Sequence, residues 1–474
     1  MRSVAVIGAG PAGLAAAKHA LDAGLEPVVF EASAELGGQW ARAEGRSGIW
    51  PGMSTNTSRS MTAFADLPPD PAQPLHPLAP QIHGYLQSYA ERFGLLERIR
   101  FGAPVETVEL GWRVDGEPFD GVIVATGRFH RARVPETLQA FAGELMHGYD
   151  YPGREALAGR RVLVYGNGIS GSEIAADLAR GAEVTHAFRK PRYVIRKNDD
   201  GCSSDWRWYT QASALLRRNL PPEQLSAQTR QRIIRLAGDP ADQGAPRPDP
   251  ELRVAGITLT QDWLGAVASG AVECRPAIAA IDGRDVRFDD DTSAGFDVLI
   301  SATGYDLDVP CLGPGVRDVL GPELRLHHRT LHPDLEGFAM VGQFFALGPY
   351  FPLLELQARW AVAVFAGQIP PPDPGAMLAE MASPARPAEP HDLLSLEIAE
   401  ALGVVPDLDA RPELREALLF GPMLPARWRL DGPGSEARAA ARFSDELATS
   451  PRPDVDPEVL EAIEAIDGPR LQRR

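Results

Sequence analysis

Two glycine-rich loops carry the first chemical signal in this chain. Gly8-Ala9-Gly10-Pro11-Ala12-Gly13 follows the apolar run Val4-Ala5-Val6-Ile7, and Gly166-Asn167-Gly168-Ile169-Ser170-Gly171 follows Val162-Leu163-Val164-Tyr165. Each lies between a strand-like run and a helix-like run, the setting in which Gly-x-Gly-x-x-Gly cradles a dinucleotide pyrophosphate. Gly8 and Gly166 permit the turn, Gly10 and Gly168 let the backbone approach the phosphates, and Gly13 and Gly171 let a helix pack close to the sheet. Free N–H groups at each helix start then face phosphate oxygens. Ser170 and Ser172 are expected to join the second of these sites.

The loops differ at one partner position. Glu31 lies 23 residues on from Gly8, at the end of Pro27-Val28-Val29-Phe30. Arg189 lies 23 residues on from Gly166, at the end of Val184-Thr185-His186-Ala187-Phe188. A carboxylate accepts hydrogen bonds from a free ribose diol, and a cation suits a 2′-phosphate. The first site is therefore expected to hold FAD or NAD and the second NADPH. Two such cofactors on one chain imply hydride transfer from nicotinamide to flavin. Lys190, Arg192, Arg196 and Lys197 cluster after Arg189 and are expected to help bind the phosphate.

These loops need sheets to hold them. Gly121 to Gly127 reads as a buried strand with a glycine exit, and Asp297 to Gly304 is a near copy. Both end in Ala-Thr-Gly, and each follows one nucleotide unit. Residues 68–80 read as a proline-rich loop and Ile82 to Leu95 as an amphipathic helix. Residues 204–220 and 222–237 read as helices within an insertion at about 199–256, which either shapes a substrate entrance or covers a sheet edge. Residues 370–390 read as a linker or surface excursion. A helical C-terminal segment follows, then a short acidic helix at 457–466 and frayed last residues.

With 474 residues, 44% of them hydrophobic, the chain can build two or three full cores. Its formal net charge of −17 disfavours nucleic acid or an anionic membrane as a partner. The three cysteines, Cys202, Cys274 and Cys311, form no metal-ligand pattern and fit a reducing cytoplasm. Neither a signal peptide nor a membrane-spanning run is evident. A homodimer is left open.

Further motifs resemble the flavin-containing monooxygenases. Phe141-Ala142-Gly143-Glu144-Leu145-Met146-His147-Gly148-Tyr149-Asp150-Tyr151 fits their Phe-x-Gly-x-x-x-His-x-x-x-Tyr/Phe pattern. Gly37-Gly38-Gln39-Trp40, the stretch Thr55 to Pro68, Ala302-Thr303-Gly304-Tyr305, Glu355-Leu356-Gln357-Ala358-Arg359-Trp360-Ala361 and Phe420-Gly421-Pro422 fit the same family. The resemblance runs from the first strand to about Gly434.

It implies an α/β fold of two Rossmann-like domains, the NADPH domain inserted into the FAD domain, with a helical C-terminal segment. The expected division is 1–150 and 301–450 for FAD, 151–300 for NADPH, and 451–474 for the acidic helix and a flexible tail. It also implies a chemistry. NADPH reduces FAD, O₂ adds to give a flavin C4a-hydroperoxide, and a soft nitrogen or sulfur nucleophile takes the distal oxygen. The cofactor supplies the reactivity, so the protein needs no nucleophile or general base of its own. Asn56 matches the family asparagine that supports this species, since an amide donates and accepts hydrogen bonds without acting as an acid. Thr55 and Thr57 flank it, and Gln39 and Trp40 match positions beside the flavin. The helical run from Leu353 is expected to point its positive N-terminal end at the flavin pyrimidine.

Two departures bear on the substrate. Phe345-Ala346 stand where the family often has Gln-Pro, which removes a polar group near the flavin. Tyr151 is followed by Pro152, as the tryptophan of the related Baeyer–Villiger motif often is; the tyrosine favours amine or sulfide oxygenation over ketone oxygenation. A disulfide reductase with two similar nucleotide folds needs a cysteine pair near its flavin, and no cysteine precedes Cys202.

Overall fold

A computed structural model describes residues 2–41, 48–384, 386, 388–451 and 455–471, with the last five as backbone alone. Two five-stranded parallel sheets organise the chain. The first has the order Phe338–Met340, Gly121–Val124, Ser3–Ile7, Glu26–Phe30, Ile99–Arg100. The second has the order Val272–Arg275, Glu183–Ala187, Arg161–Tyr165, Val298–Ser301, Glu144–His147. In both, the strand before the glycine loop is central. The strand leading to Glu31 or Arg189 flanks it on one side, and the Ala-Thr-Gly strand flanks it on the other. Their near-continuous apolar character follows from burial on both faces.

The first sheet draws its strands from both sides of the second, which is built from residues 144–301. This is the nested α/β arrangement. The edge strand Glu144–His147 pairs with Val298–Ser301, so the chain enters the second sheet before residue 150. Gly143 sits at that entry because a Cβ there would lie 2.6 Å from the Phe141 ring and 2.8 Å from the Asp297 carbonyl oxygen.

Helices follow the glycine loops at Pro11–Asp22 and Ile169–Leu178. The apolar Phe351–Phe365 helix packs against Pro11–Asp22 within the largest core, so its burial is nearly complete. The insertion differs in detail from the sequence reading. A helix expected over 204–220 is two helices, Ser204–Trp208 and Gln211–Asn219, because Thr210 caps the second by accepting the Ser213 N–H. The helix Pro222–Ala237 is as expected. Residues 370–390 are more than a linker: they hold the helix Pro374–Ala382, started by an Asp373 cap and anchored by buried Met377. The acidic helix extends over Pro457–Leu471, five residues past the expected end at Ile466 and into the stretch expected to be frayed; residues 472–474 lie outside the described residues. Among the described residues no helix is long and apolar enough to cross a membrane.

Candidate functional site

Both glycine loops are built to one plan. Gly8 has φ +107° and Gly166 φ +123°, conformations that disfavour any side chain. A Cβ on Gly8 would come within 2.6 Å of the Ala125 carbonyl oxygen, and one on Gly166 within 2.4 Å of that of Ala302. The recurrent Ala-Thr-Gly thus closes the floor of each turn. A Cβ on Gly13 would overlap the Gly8 carbonyl oxygen at 1.8 Å, and one on Gly171 that of Gly166 at 1.9 Å. Gly168 faces open space, and Gly10 faces only Gly38, whose Cα would lie 3.5 Å from an added Cβ. Gly10 and Gly168 are the helix N-caps and offer no capping side chain. The first-turn N–H groups, those of Ala12 and Gly13 behind Pro11 in one helix and of Ile169 and exposed Ser170 in the other, are therefore free for phosphate oxygens. These features fit two pyrophosphates.

Glu31 is buried at the end of its strand. Its Oε2 accepts the Ala9 N–H at 2.7 Å, and its Oε1 accepts from the Ser33 N–H and hydroxyl at 2.9 and 2.6 Å. The carboxylate is held beside the loop, with one acceptor site left on Oε2 for a further donor. Gly37 donates to the Ala9 carbonyl at 2.9 Å, which lays the Gly37–Trp40 turn over the same loop. Trp40 is buried there and Gln39 is exposed.

Arg189 is exposed at the equivalent place in the second unit, next to exposed Lys190. The wider basic cluster does not hold together. Lys197 is buried and pairs with Glu173 at 2.5 Å, and Arg192 donates to the Ile257 carbonyl at 3.1 Å. Both are spent on internal contacts. Ser172, expected at the second site, is instead fully buried: its hydroxyl donates to Asn167 at 3.2 Å, and its N–H bonds the Gly168 carbonyl. It braces the loop from beneath instead of facing a phosphate.

The two units meet at the carboxyl ends of their strands, where α/β sheets bind ligands. Phe129, two residues beyond the first Ala-Thr-Gly, meets Tyr305, directly beyond the second, with ring centroids 5.4 Å apart. Phe129 also packs on Phe345 and Tyr350, and the Tyr350–Phe351 helix start lies in this cluster. The Gln343 amide braces the exit through a hydrogen bond with the Thr126 hydroxyl at 3.0 Å.

The Thr55–Ser58 loop is tied down around Asn56. The Thr55 hydroxyl donates to the Thr57 carbonyl at 2.7 Å, and the Thr57 hydroxyl meets that of Thr62 at 2.8 Å. Asn56 itself is half-buried. Ser58 donates its N–H to Asp205 at 2.5 Å. Asp205 gave no signal in sequence, because its partner lies 147 residues away.

The Glu355 and Arg359 of the family-like helix have a physical reason. Glu355 accepts the Ala65 N–H at 2.8 Å, and Arg429 bridges Glu355 and Asp66 at 3.0 and 2.8 Å. Asp66 also pairs with Lys18, and Arg359 donates to the Trp428 and Pro433 carbonyls, both at 3.0 Å. Burial raises the Glu355 carboxyl, but His19 beside it and the charges of Arg429 and Arg359 outweigh this and hold it below its usual range. This network locks the Asn56-bearing segment, the first helix and the C-terminal segment together.

The chain resembles known proteins along most of its length. The flavin-binding monooxygenase-like family model matches residues 1–444. Flavin-containing monooxygenase 5 of Oryctolagus cuniculus is 31% identical over 479 residues, covering 91% of this chain and 89% of the relative. Dimethylaniline monooxygenase [N-oxide-forming] 2 of the same species is 29% identical, with 91% and 89% covered. Among solved structures, S-allyl-L-cysteine S-oxygenase from Allium sativum matches at a TM-score of 0.60 and 20% identity, over 94% of this chain and 98% of that one; at that identity it speaks to the fold.

Proposed function

The chain belongs to the flavin-binding monooxygenase-like family, and on that premise we propose which residues serve its reaction and which substrates it takes. It is a monooxygenase that uses FAD and NADPH. The balance is NADPH, a proton, O₂ and substrate going to NADP⁺, water and oxygenated product. When bound, FAD supplies the oxygen-activating centre and NADPH the two electrons.

The single observation that carries the residue assignment is the pairing of Glu31 and Arg189. They have opposite charge at equivalent places in two copies of one unit, and the exits of those units face each other through Phe129 and Tyr305. We assign Gly8, Ala9, Gly10, Pro11, Ala12, Gly13, Glu31, Gln39, Trp40, Thr55, Asn56 and Thr57 to FAD. Gly166, Gly168, Ser170, Gly171 and Arg189 are assigned to NADPH. In this reading residues before Phe141 and beyond the Val298–Ser301 strand form the FAD unit, and those between form the NADPH unit. Asn56 holds the reacting oxygen region in a dry, hydrogen-bonding setting.

The substrate is a soft nitrogen or sulfur nucleophile. The relative named for N-oxide formation supports this. So does the aromatic wall of Phe129, Phe345 and Tyr350, which suits an apolar amine or sulfide. The buried thiols Cys202 and Cys311, both unpaired, fit a reducing cytoplasm. A panel of a tertiary amine, a dialkyl sulfide and a cyclic ketone, scored by product mass, tests the class. N-oxide or sulfoxide as the main product is expected; ester from the ketone alone would establish Baeyer–Villiger chemistry in its place. Asn56→Ala tests the site: NADPH should still bleach the flavin at near the native rate, while hydrogen peroxide replaces product. Unchanged coupling would return Asn56 to a loop-building role.

A further inference from the structure

We infer that Asp205, on the inserted helical segment, positions the Asn56 loop, so that the insertion serves the oxygenation site and is more than a cover for a sheet edge. The inference rests on the reading of Asn56 above for its catalytic consequence, but its structural content stands separately.

Asp205 is 1% exposed, at the start of the Ser204–Trp208 helix. Its Oδ2 accepts the Ser58 N–H at 2.5 Å, and the next residue, Trp206, donates its indole N–H to the Ser58 hydroxyl at 3.2 Å. Ser58 and Trp206 are themselves buried. Two consecutive residues of the insertion thus grip one residue of the loop, two positions from Asn56. Other contacts of the loop among the described residues come from the first unit: the Thr62 hydroxyl donates to the Ser58 carbonyl at 2.8 Å, the Thr55 N–H donates to the Pro77 carbonyl at 2.9 Å, and Thr55 closes on Thr57. Only the Ser58 N–H and hydroxyl reach across to the insertion in this set.

A carboxylate is a costly way to cover a sheet edge. Its other oxygen, Oδ1, is shielded from solvent and makes no well-formed hydrogen bond. Among the described residues no salt bridge neutralises it. An apolar side chain would fill the space at lower cost, because an unpaired buried charge is strongly penalised. What the carboxylate gains is a short, strong acceptor for one backbone N–H. Fixing that N–H fixes the Thr57–Ser58 peptide plane, and with it the path of the chain leaving Asn56. Reactions that depend on a positioned amide are sensitive to displacements on the order of 1 Å.

The test uses FAD-loaded protein carrying Asp205→Ala, Asp205→Asn or Trp206→Phe. Hydrogen exchange of the 53–64 peptide reports the loop directly, and peroxide formed per NADPH reports coupling. Asp205→Ala should speed exchange in that peptide by about tenfold or more while the first sheet stays protected. Peroxide per NADPH should rise about threefold or more, and anaerobic flavin bleaching by NADPH should stay within about twofold. Asp205→Asn keeps an acceptor oxygen and should restore both loop protection and coupling. Should Asp205→Ala not be recoverable, Trp206→Phe carries the test, with a smaller rise in exchange confined to the same peptide. Unchanged exchange in Asp205→Ala or, in its place, in Trp206→Phe, loss of protection across the first sheet as well, or an Asp205→Asn protein as loose as Asp205→Ala would each overturn the inference. A loosened loop with coupling intact in both Asp205→Ala and Asn56→Ala would remove the role of Asn56 and leave the grip on the loop established.

Discussion

The His147 imidazole joins the Gly304 carbonyl oxygen through Nε2 at 3.1 Å, while its Nδ1 accepts the Tyr149 N–H at 3.0 Å. Both ring nitrogens are used, which selects the neutral ring with its proton on Nε2. The residue caps the short Gly148–Asp150 turn and pins the crossing segment to the second Ala-Thr-Gly exit. Its role is architectural. His147→Ala removes one of two donors to the half-buried Gly304 carbonyl, which also accepts the Arg133 N–H at 3.0 Å, and should lower unfolding free energy by about 0.5–1.5 kcal/mol. Urea unfolding measures this; a change in product class with native stability would contradict it.

Gly13→Ala should be far more severe than its single methyl suggests. The added carbon would meet the Gly8 carbonyl oxygen at 1.8 Å, so the helix must lift off the strand. Loss of bound FAD is expected, read from the ratio of flavin absorbance to protein absorbance after purification. Gly171→Ala, with its clash at 1.9 Å, should spare the flavin and raise the KM for NADPH. Full flavin retention in Gly13→Ala would separate the loop geometry from cofactor binding.

Arg189→Ala and Lys197→Ala should behave differently although the sequence groups them. Arg189 is exposed at its strand end, and its loss should cost NADPH binding about 1.5–3 kcal/mol with little effect on NADH. Lys197 is paired with Glu173, so its loss should lower stability and leave the NADPH to NADH preference alone. Steady-state KM values for both nucleotides in both variants decide the matter.

Burial pushes the Asp205 carboxyl from 3.8 up to about 6, and hydrogen bonding by Ser203 and Ser58 offsets this only in part. The folded chain therefore keeps this proton to higher pH than the unfolded chain does. The associated stabilisation is complete below pH 3.8 and is lost as pH rises through about 6. The total swing is roughly 3 kcal/mol. Asp205→Asn, which stays uncharged, should unfold with a flatter pH dependence than the native chain between pH 4 and about 7. Parallel urea curves across that window would reveal it, and identical slopes would refute it.

The parts legible in sequence were those set by local chemistry. The glycine turns, the strands before them and the Glu31 and Arg189 positions all follow from short-range spacing. So did the Pro222–Ala237 helix, whose proline start and helical period lie within one segment. Charge alone misled at Lys197, and proximity to the loop misled at Ser172, because neither says which way a side chain turns. The break at Thr210 carried a readable signal, a threonine three residues before a serine N–H that it caps. Asp205 and Arg429 had none, and Glu355 and Asp66 stood in family-like motifs that gave no hint of their shared partner, since these contacts come together only when distant segments fold.

The nested order of the two sheets has a consequence for synthesis. The first sheet needs Phe338–Met340 beside Gly121–Val124, so its earliest strand, Ser3–Ile7, waits for a neighbourhood completed more than three hundred residues later. At about 5–20 residues per second, that is tens of seconds of translation. The second sheet is complete once Ser301 has emerged. On the ribosome the unit encoded in the middle can therefore close first, and the unit that opens the chain finishes last.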